Sequence, residues 1–294
     1  MFRIVRASVV WLALFPAFCS GAIGAPMAAH PAFWTIKGSP GTAYILGSVH
    51  ALPPDVSWKR PEIDAAAKSS GTYVFEVPDG PPEVAEATRF ILQRGRLPEG
   101  TTLHTLLSPV AQRDYDAACA LAGMKTTALD DKRPWLAAIV LTVSYMNQRN
   151  VTYKNTPDEI YFEGAQRSGK SLLYFDTTRE QLEFLARFDE TMGVDGFSAM
   201  LGDFTGQPKR EDALFQAWIS GDVQAMSRLI DDSFRADPAG ARIFADHNRV
   251  WTKELEDLLK ANRIYFVVAG IAHLVGPTGV PALLRGDGYK VDGP

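Results

Sequence analysis

Two histidines occupy the same local pattern near opposite ends of the chain. The stretch "YILGSVH" ends at His50 and "VVAGIAH" ends at His273, so each histidine completes a Gly-x-x-His motif after an apolar, strand-like run. A glycine where a strand ends permits backbone angles that other residues avoid and lets another group come close. A neutral histidine nitrogen serves as a metal ligand or a general base near pH 7. The two motifs therefore predict one shared metal or catalytic site, with two unrelated capping histidines as the alternative.

Glu76 is the third candidate for this site. It lies in "YVFEVP", between apolar neighbours that we expect to be buried. A buried carboxylate needs a partner, and a metal ion or an imidazolium would provide one. The alternative is that Glu76 pairs with an arginine or faces water on an alternating strand, and the sequence leaves both interpretations open.

Other common catalytic patterns do not occur in the sequence. It has no His-Glu-x-x-His, no Gly-x-Ser-x-Gly, no Walker loop and no paired-cysteine zinc pattern. The chain has 30 basic and 34 acidic residues and a net charge of −4. This balance argues against a nucleic-acid partner, because a nucleic-acid surface needs a basic stripe.

The first residues have the layout of a secretory signal peptide. Two arginines precede the apolar run "ASVVWLALFPAF" and the small residues "CSGAIGA", and the run is too short to cross a bilayer comfortably. We predict that residues 1–24 are a signal peptide and that residues 25–294 form one domain, secreted or in the periplasm. No later stretch predicts a transmembrane helix. The mature chain would keep Cys119 as its single cysteine, which excludes an internal disulfide.

Strand-like segments lie towards the two ends of the chain, and helical patterns fill most of the middle. Such an arrangement predicts an α/β (α+β) fold, in which a central mixed sheet is built from both chain ends and has a large helical insertion. Strands are predicted in a hairpin at 32–47, at 71–77, at 171–176 as a buried strand, at 263–270, and in a final edge strand "YKV"; helices are predicted through most of 81–168 and 178–260 and at "GVPALLRGDG".

The motifs together resemble the TraB/GumN family, which is related to the Tiki metalloproteases. The resemblance rests on "YILGSVH", "YVFEV", "RPWLAAIVL", "PDEIYFEGAQRSGK", "DTTREQLEFL", "AWISGD", "HNRVW" and "VVAGIAHLVGPTGVPALLRGDGYKV". These stretches follow the family order from about residue 33 to residue 292, which is nearly the whole predicted mature chain.

The resemblance implies a fold and a chemistry. The fold would be that of the erythromycin-esterase-like, ChaN-like and Tiki-like proteins, with two related halves that each contribute one Gly-x-x-His. In the Tiki branch, the two histidines and a strand glutamate form a divalent-metal peptidase centre, and by position these are His50, His273 and Glu76. These three residues would hold manganese, cobalt or zinc, and they would be both its ligands and the catalytic residues. This set leaves an open position for a water that attacks a peptide carbonyl.

Two positions depart from the family pattern. The family usually has Arg-Asn where this chain has His247-Asn248, and Leu-Glu-Thr where this chain has Phe-Asp-Thr with Asp176. We expect "DHNR" to lie on the solvated face of an amphipathic helix. The alternative is that His247 adds a further metal ligand.

The favoured hypothesis is an exported metal-dependent hydrolase, a peptidase that acts on peptides or proteins of the cell envelope. One alternative is a non-catalytic binding or accessory protein of the envelope, linked to surface-polysaccharide production. Another is an esterase-type hydrolase, which would need a histidine-activated water because the sequence has no serine elbow.

Overall fold

The structure is a computed structural model that describes residues 27–149, 151, 153–191, 193–206, 208–235 and 237–294. The predicted signal peptide, residues 1–24, lies outside these ranges. Of the helices within the described ranges, none combines the length and the apolar character that crossing a lipid bilayer requires.

The strands form one large mixed sheet and one small parallel pair. They are β1 Met27–Ala28, β2 Phe33–Lys37, β3 Thr42–Ser48, β4 Val56–Ser57, β5 Thr72–Phe75, β6 Ser171–Tyr174, β7 Ile264–Gly270 and β8 Lys290–Asp292. The large sheet has the order β6-β5-β7-β3-β2-β8, and β1 pairs with β4. The first four strands of that order are parallel, while β2 is antiparallel to β3 and to β8. Because β3 lies directly beside β7, the predicted sheet built from both chain ends is confirmed.

The helices surround this sheet and form the insertion. They are α1 Pro61–Ser69, α2 Pro81–Arg94, α3 Leu103–Leu106, α4 Pro109–Leu121, α5 Pro134–Gln148, α6 Pro157–Arg167, α7 Thr178–Thr191, α8 Gly193–Gly206, α9 Pro208–Ser220, α10 Val223–Phe234, α11 Pro238–Leu259 and α12 Val280–Gly286. The N-cap side chains of Ser108 and Thr156 accept hydrogen bonds from the backbone amides of Ala111 and Glu159. These caps satisfy amide groups that the first turn of a helix leaves unpaired, so helices begin where the sequence predicts them.

Two hydrophobic clusters divide the interior. The larger cluster packs helices against the sheet and includes Trp34, Ile45 and Phe266, each at most 2% exposed. The second lies among α3, α4, α5 and α8 and includes Tyr115 and Leu201, both fully buried. The helical insertion therefore has its own core, and the larger cluster holds the strands that carry the two histidine motifs.

Two predictions about local structure had different outcomes. The segment 171–176 was predicted to be a buried strand, but β6 is an edge strand in which Ser171 and Leu173 are exposed. Successive side chains of a strand point to opposite faces of the sheet, and the face of β6 that carries Ser171 and Leu173 is exposed. The helix α8 lies within the range 178–260 that was predicted to be mostly helical, although its four glycines lower helix propensity; its apolar face packs into the second core.

Candidate active site

Three neighbouring parallel strands deliver the predicted site residues to the same edge of the sheet. In the pairing of β3 with β7, Gly47 lies opposite Ala269 and Ser48 opposite Gly270. On its other side β7 pairs with β5, which ends one residue before Glu76. The carboxyl ends of parallel strands are where α/β sheets hold their ligands. His50, Glu76 and His273 therefore leave adjacent strands at the edge where a ligand is expected.

His50 lies between two buried carboxylates. Its Nε2 is 3.8 Å from Oε2 of Glu76, and its Nδ1 is 3.5 Å from Oδ2 of Asp158. The residue exposures of His50, Glu76 and Asp158 are 7%, 3% and 9%. Glu76 is thus buried beside an imidazole, as one of its two sequence interpretations supposed, and does not face water.

The two carboxylates control the charge of His50. Burial by itself lowers the pKa of His50, but the negative charges of Asp158 and Glu76 and the contact with Asp158 raise that pKa to about 9. The imidazole therefore holds a proton at neutral pH when nothing else occupies the site. The same negative potential favours any other cation that replaces this proton.

Asp158 is a site residue that the sequence analysis missed. It belongs to the first turn of α6, where an acidic side chain is commonly assigned to interaction with the helix dipole. In the structure its carboxylate accepts a hydrogen bond from the hydroxyl of Ser48, two residues before His50. The Thr-Pro-Asp-Glu pattern indicated a helix start, but nothing in it indicated that Asp158 faces the histidine motif.

The glycine of the second motif is required by close packing against the first. Its amide donates a hydrogen bond of 2.6 Å to Oε1 of Glu76. A Cβ atom at Gly270 would lie 3.0 Å from Nε2 of His50 and 3.1 Å from Oε1 of Glu76. The backbone of the second motif at Gly270 thus packs directly against His50 of the first motif, which explains why a residue without a side chain occupies this position.

His273 is held in one tautomer by Asn248. The amide Nδ2 of Asn248 donates to the carbonyl of Thr278 at 2.9 Å, so its Oδ1 faces Nδ1 of His273 at 2.6 Å. An amide oxygen can only accept, and Nδ1 must therefore be the protonated nitrogen. Nε2 of His273 keeps its lone pair. Asn248 is fully buried, and the sequence analysis did not assign it this role.

Aromatic side chains enclose His273. Its ring stacks on Phe244 with centroids 4.6 Å apart and meets Trp251 at 4.1 Å. Burial, followed by the nearby charges of His247 and His50, lowers the pKa of His273 well below its usual range. His273 is therefore neutral where His50 is protonated, and such separation of pKa values is common between acid and base partners in active sites.

The expectation that His247 and Asn248 face solvent was wrong. The side chain of His247 is 12% exposed, and its Nε2 is 3.0 Å from Oδ2 of Asp176. The same carboxylate oxygen accepts a hydrogen bond of 3.2 Å from the indole of Trp251. The two positions named above as departures from the family pattern thus lie in contact with each other. His247 lies on the same stripe of α11 as the buried Phe244, Asn248 and Trp251, so helical spacing could have placed it on the inner face.

The site contains imidazole nitrogens and carboxylate oxygens, which are the kinds of atom that bind a metal ion. Across the described residues, no three His, Cys, Asp or Glu side chains are close enough as placed to enclose one. Nε2 of His50 is nevertheless buried without a hydrogen-bond partner, and Nε2 of His273 has its lone pair available. A metal-binding histidine typically has its other nitrogen fixed by an oxygen acceptor, as Asp158 and Asn248 do here. A cavity of about 10 Å³ beside Glu76 and Asp158 has the size of one water.

These features define the class of the protein: an α+β fold with a buried histidine–carboxylate site at the carboxyl edge of its sheet. The model of the TraB/PrgY/gumN family matches residues 32–293. The chain belongs to this family, which confirms the family prediction, while the relationship to Tiki proteases stays a prediction. An uncharacterized protein of Treponema pallidum (strain Nichols) is 24% identical over 272 residues, which are 86% of this chain and 80% of that protein. No solved structure matches the chain.

Proposed function

We propose that the protein is an exported metal-dependent hydrolase that cleaves peptides or proteins of the cell envelope. The observation that supports this proposal is the convergence of both Gly-x-x-His loops and Glu76 at one buried edge of the sheet. Metal ligation would explain why Nε2 of His50 is buried without a hydrogen-bond partner, since such a nitrogen is otherwise costly to bury.

His50, Glu76 and His273 are the proposed ligands of a divalent cation, with manganese, cobalt and zinc as candidates. When bound, the cation would supply Lewis acidity and lower the pKa of a water. Residues of the chain orient the two imidazoles. Asp158 lies at Nδ1 of His50, and Asn248 holds Nδ1 of His273, so both imidazoles direct Nε2 away from these contacts.

Glu76 is fixed by the backbone of the opposite motif. Gly270 donates its amide proton to Oε1 of Glu76, while Oε2 lies towards His50. This arrangement places a carboxylate beside the small cavity between Glu76 and Asp158. A water in that cavity would be within the influence of both carboxylates, and either could accept a proton from it.

The test is to measure metal content and peptide cleavage on the same preparations. Wild-type protein and the variants His50→Ala and His273→Ala are loaded in turn with manganese, cobalt or zinc, desalted, and assayed with a broad peptide library. His104→Ala is the matched control, because His104 lies outside the site, near Asp116 on α4. We expect one metal per chain and cleavage for wild type and the control, and loss of both in the two site variants.

Each outcome has a definite meaning. A wild-type protein that retains no stoichiometric metal after loading contradicts the metal centre. A second outcome is that metal binds to wild type and is lost in both variants while no peptide is cleaved. This outcome supports the metal centre and contradicts the peptidase activity. In that case the next assays are ester hydrolysis and binding of surface polysaccharide by wild type and His50→Ala.

A further inference from the structure

We propose that the protein binds a small organic anion in a second cavity, lined by Arg228, Trp34 and the segment that follows His273. This cavity has a volume of about 340 Å³. Cavities for small ligands begin at about 300 Å³, so the space suits a compact molecule and not a polypeptide segment. The proposal does not depend on the metal or on the peptidase activity proposed for the histidine site.

The lining has two kinds of surface. Trp34, Leu274 and Val275 are buried apolar residues that form one wall. Another part of the lining comes from the start of α10, where Ser227 and Arg228 lie. Among the described residues, no Asp or Glu side chain lines the cavity. The lining therefore offers an occupant both apolar contact and positively charged side chains.

Arg228 supplies the charge that recognises an anion. It is exposed at the cavity, and the described residues place no carboxylate within 4.0 Å of its guanidinium. The other arginine of the lining, Arg285, donates through Nη2 to the main-chain oxygens of Gly293 and Pro294 at 3.0 and 3.3 Å. Arg285 thus fixes the wall while Arg228 is available to a ligand. A guanidinium pairs well with a carboxylate or a phosphate because it can donate two parallel hydrogen bonds.

The walls of the cavity are firmly built. The indole of Trp34 donates to the main-chain oxygen of Pro294 at 3.0 Å, which fixes the ring. Gly276 has a φ of +79°, and a Cβ there would lie 2.8 Å from the hydroxyl of Ser227. The turn after His273 therefore packs tightly against α10 beside the cavity. A preformed wall lowers the entropy cost of binding.

The expected ligand is a molecule with one carboxylate or phosphate and a small apolar or planar body. Benzoate is a suitable probe, with benzyl alcohol as its uncharged counterpart. Titration calorimetry at constant ionic strength measures binding of each compound to the full purified protein. We expect saturable binding of benzoate at one site per chain and no saturable binding of benzyl alcohol.

Three variants locate the site. Arg228→Gln removes the charge and should weaken benzoate binding about ten-fold or more, the effect of losing one charge-assisted hydrogen bond. Ala282 also lines the cavity, so Ala282→Phe fills it without changing charge and should abolish binding. Arg242→Gln removes an exposed arginine from α11 and should leave binding unchanged. Absence of benzoate binding to wild type, or equal binding by wild type and Arg228→Gln, would overturn the proposal.

Discussion

The two Gly-x-x-His motifs are alike in sequence and opposite in electrostatics. His50 faces the carboxylates of Glu76 and Asp158, which raise its pKa to about 9. His273 faces an uncharged amide and aromatic rings, and its pKa is lowered well below its usual range by burial and by the nearby imidazoles. The same four-residue pattern thus gives one histidine that holds a proton and one that does not.

The motif therefore determines where each histidine lies, and the residues that contact the histidine determine its protonation. Both histidines leave neighbouring parallel strands at the same edge because β3 and β7 pair in register. Their charges are set by residues from elsewhere, Asp158 on α6 and Asn248 on α11. Substitution of these partners therefore tests the contrast between the two histidines directly.

The largest expected effect is that of Asp158→Ala on folding stability. The substitution leaves the hydroxyl of Ser48 with the carbonyl of Val49 at 3.3 Å as its remaining acceptor, and His50 with one carboxylate in place of two. Removing one member of a buried charged pair costs about 3–5 kcal/mol. Urea unfolding of chelator-treated protein at pH 7 measures the loss. Asp55→Ala, at an exposed position, is the control, and a loss no larger than that of this control would contradict the role of Asp158.

A smaller loss is expected for Asn248→Ala, which acts on the other histidine. The protonated Nδ1 of His273 then has no acceptor, and an unsatisfied buried donor costs about 1–3 kcal/mol. Nitrogen NMR of the imidazole should show a mixture of tautomers in the variant and a single Nδ1–H form in wild type. Asn262→Ala, which is exposed, should match wild type in both measurements. A wild-type His273 protonated on Nε2 would refute the assignment.

Gly270→Ala tests the contact between the motifs. The added Cβ would press on His50 and Glu76 from 3.0 and 3.1 Å, and both side chains must shift slightly to accept it. Crowding of this kind costs about 1 kcal/mol, and we expect the ring resonances of His50 to move. At Gly71 an added Cβ meets nothing within 4 Å, so Gly71→Ala should leave the His50 spectrum unchanged. An unchanged His50 spectrum in Gly270→Ala would show that the two motifs are not in contact.

The smallest effect concerns Glu254, near the pair of His247 and Asp176. Burial and the negative charges of Asp176 and Glu180 raise the pKa of Glu254 to about 7. A carboxyl group with a raised pKa stabilises the fold below its unfolded pKa of about 4.5, and this stabilisation is lost as the pH rises through 7. Glu254→Gln should therefore gain stability over wild type at pH 8 by less than about 1 kcal/mol, since water screens this partly exposed group.

The difference between the melting temperatures of Glu254→Gln and wild type, measured at pH 5 and at pH 8, checks this sign. We expect a clear gain at pH 8 and a much smaller one at pH 5, where Glu254 is already neutral in the folded protein. A difference of the same size at both pH values would mean that Glu254 titrates normally.

Much of the fold could be predicted from the sequence because its signals are local. The turn at "GSPG" sets a hairpin, and Ser108 and Thr156 cap helices through contacts three residues away. The edge position of β6 could not be predicted in this way, since its sequence is as apolar as that of a central strand. Its place at the end of the strand order and the exposure of the face that carries Ser171 and Leu173 depend on how the sheet and its helices pack.

The residues of the candidate site also fall into two groups, those that local sequence patterns predict and those that such patterns do not. Its histidines and Glu76 follow strands, and the strand pattern with its glycines is visible in a short window of sequence. Asp158 and His247 lie on helices whose patterns gave other interpretations, a helix cap for the first and a solvated face for the second. Their partners, His50 and Asp176, are 108 and 71 positions away, a separation over which periodicity contains no information.

The family, the secondary-structure elements and the two motifs can be read from the sequence, because each depends on residues close together in the chain. Which histidine is charged depends on the tertiary structure. A pKa responds to the charges and the water within a few ångströms of a group. For His50 and His273 those neighbours include Asp158 on α6 and Asn248 on α11, outside the local sequence of either motif, so the opposite chemistry of the two histidines exists only once the sheet and its helices have packed.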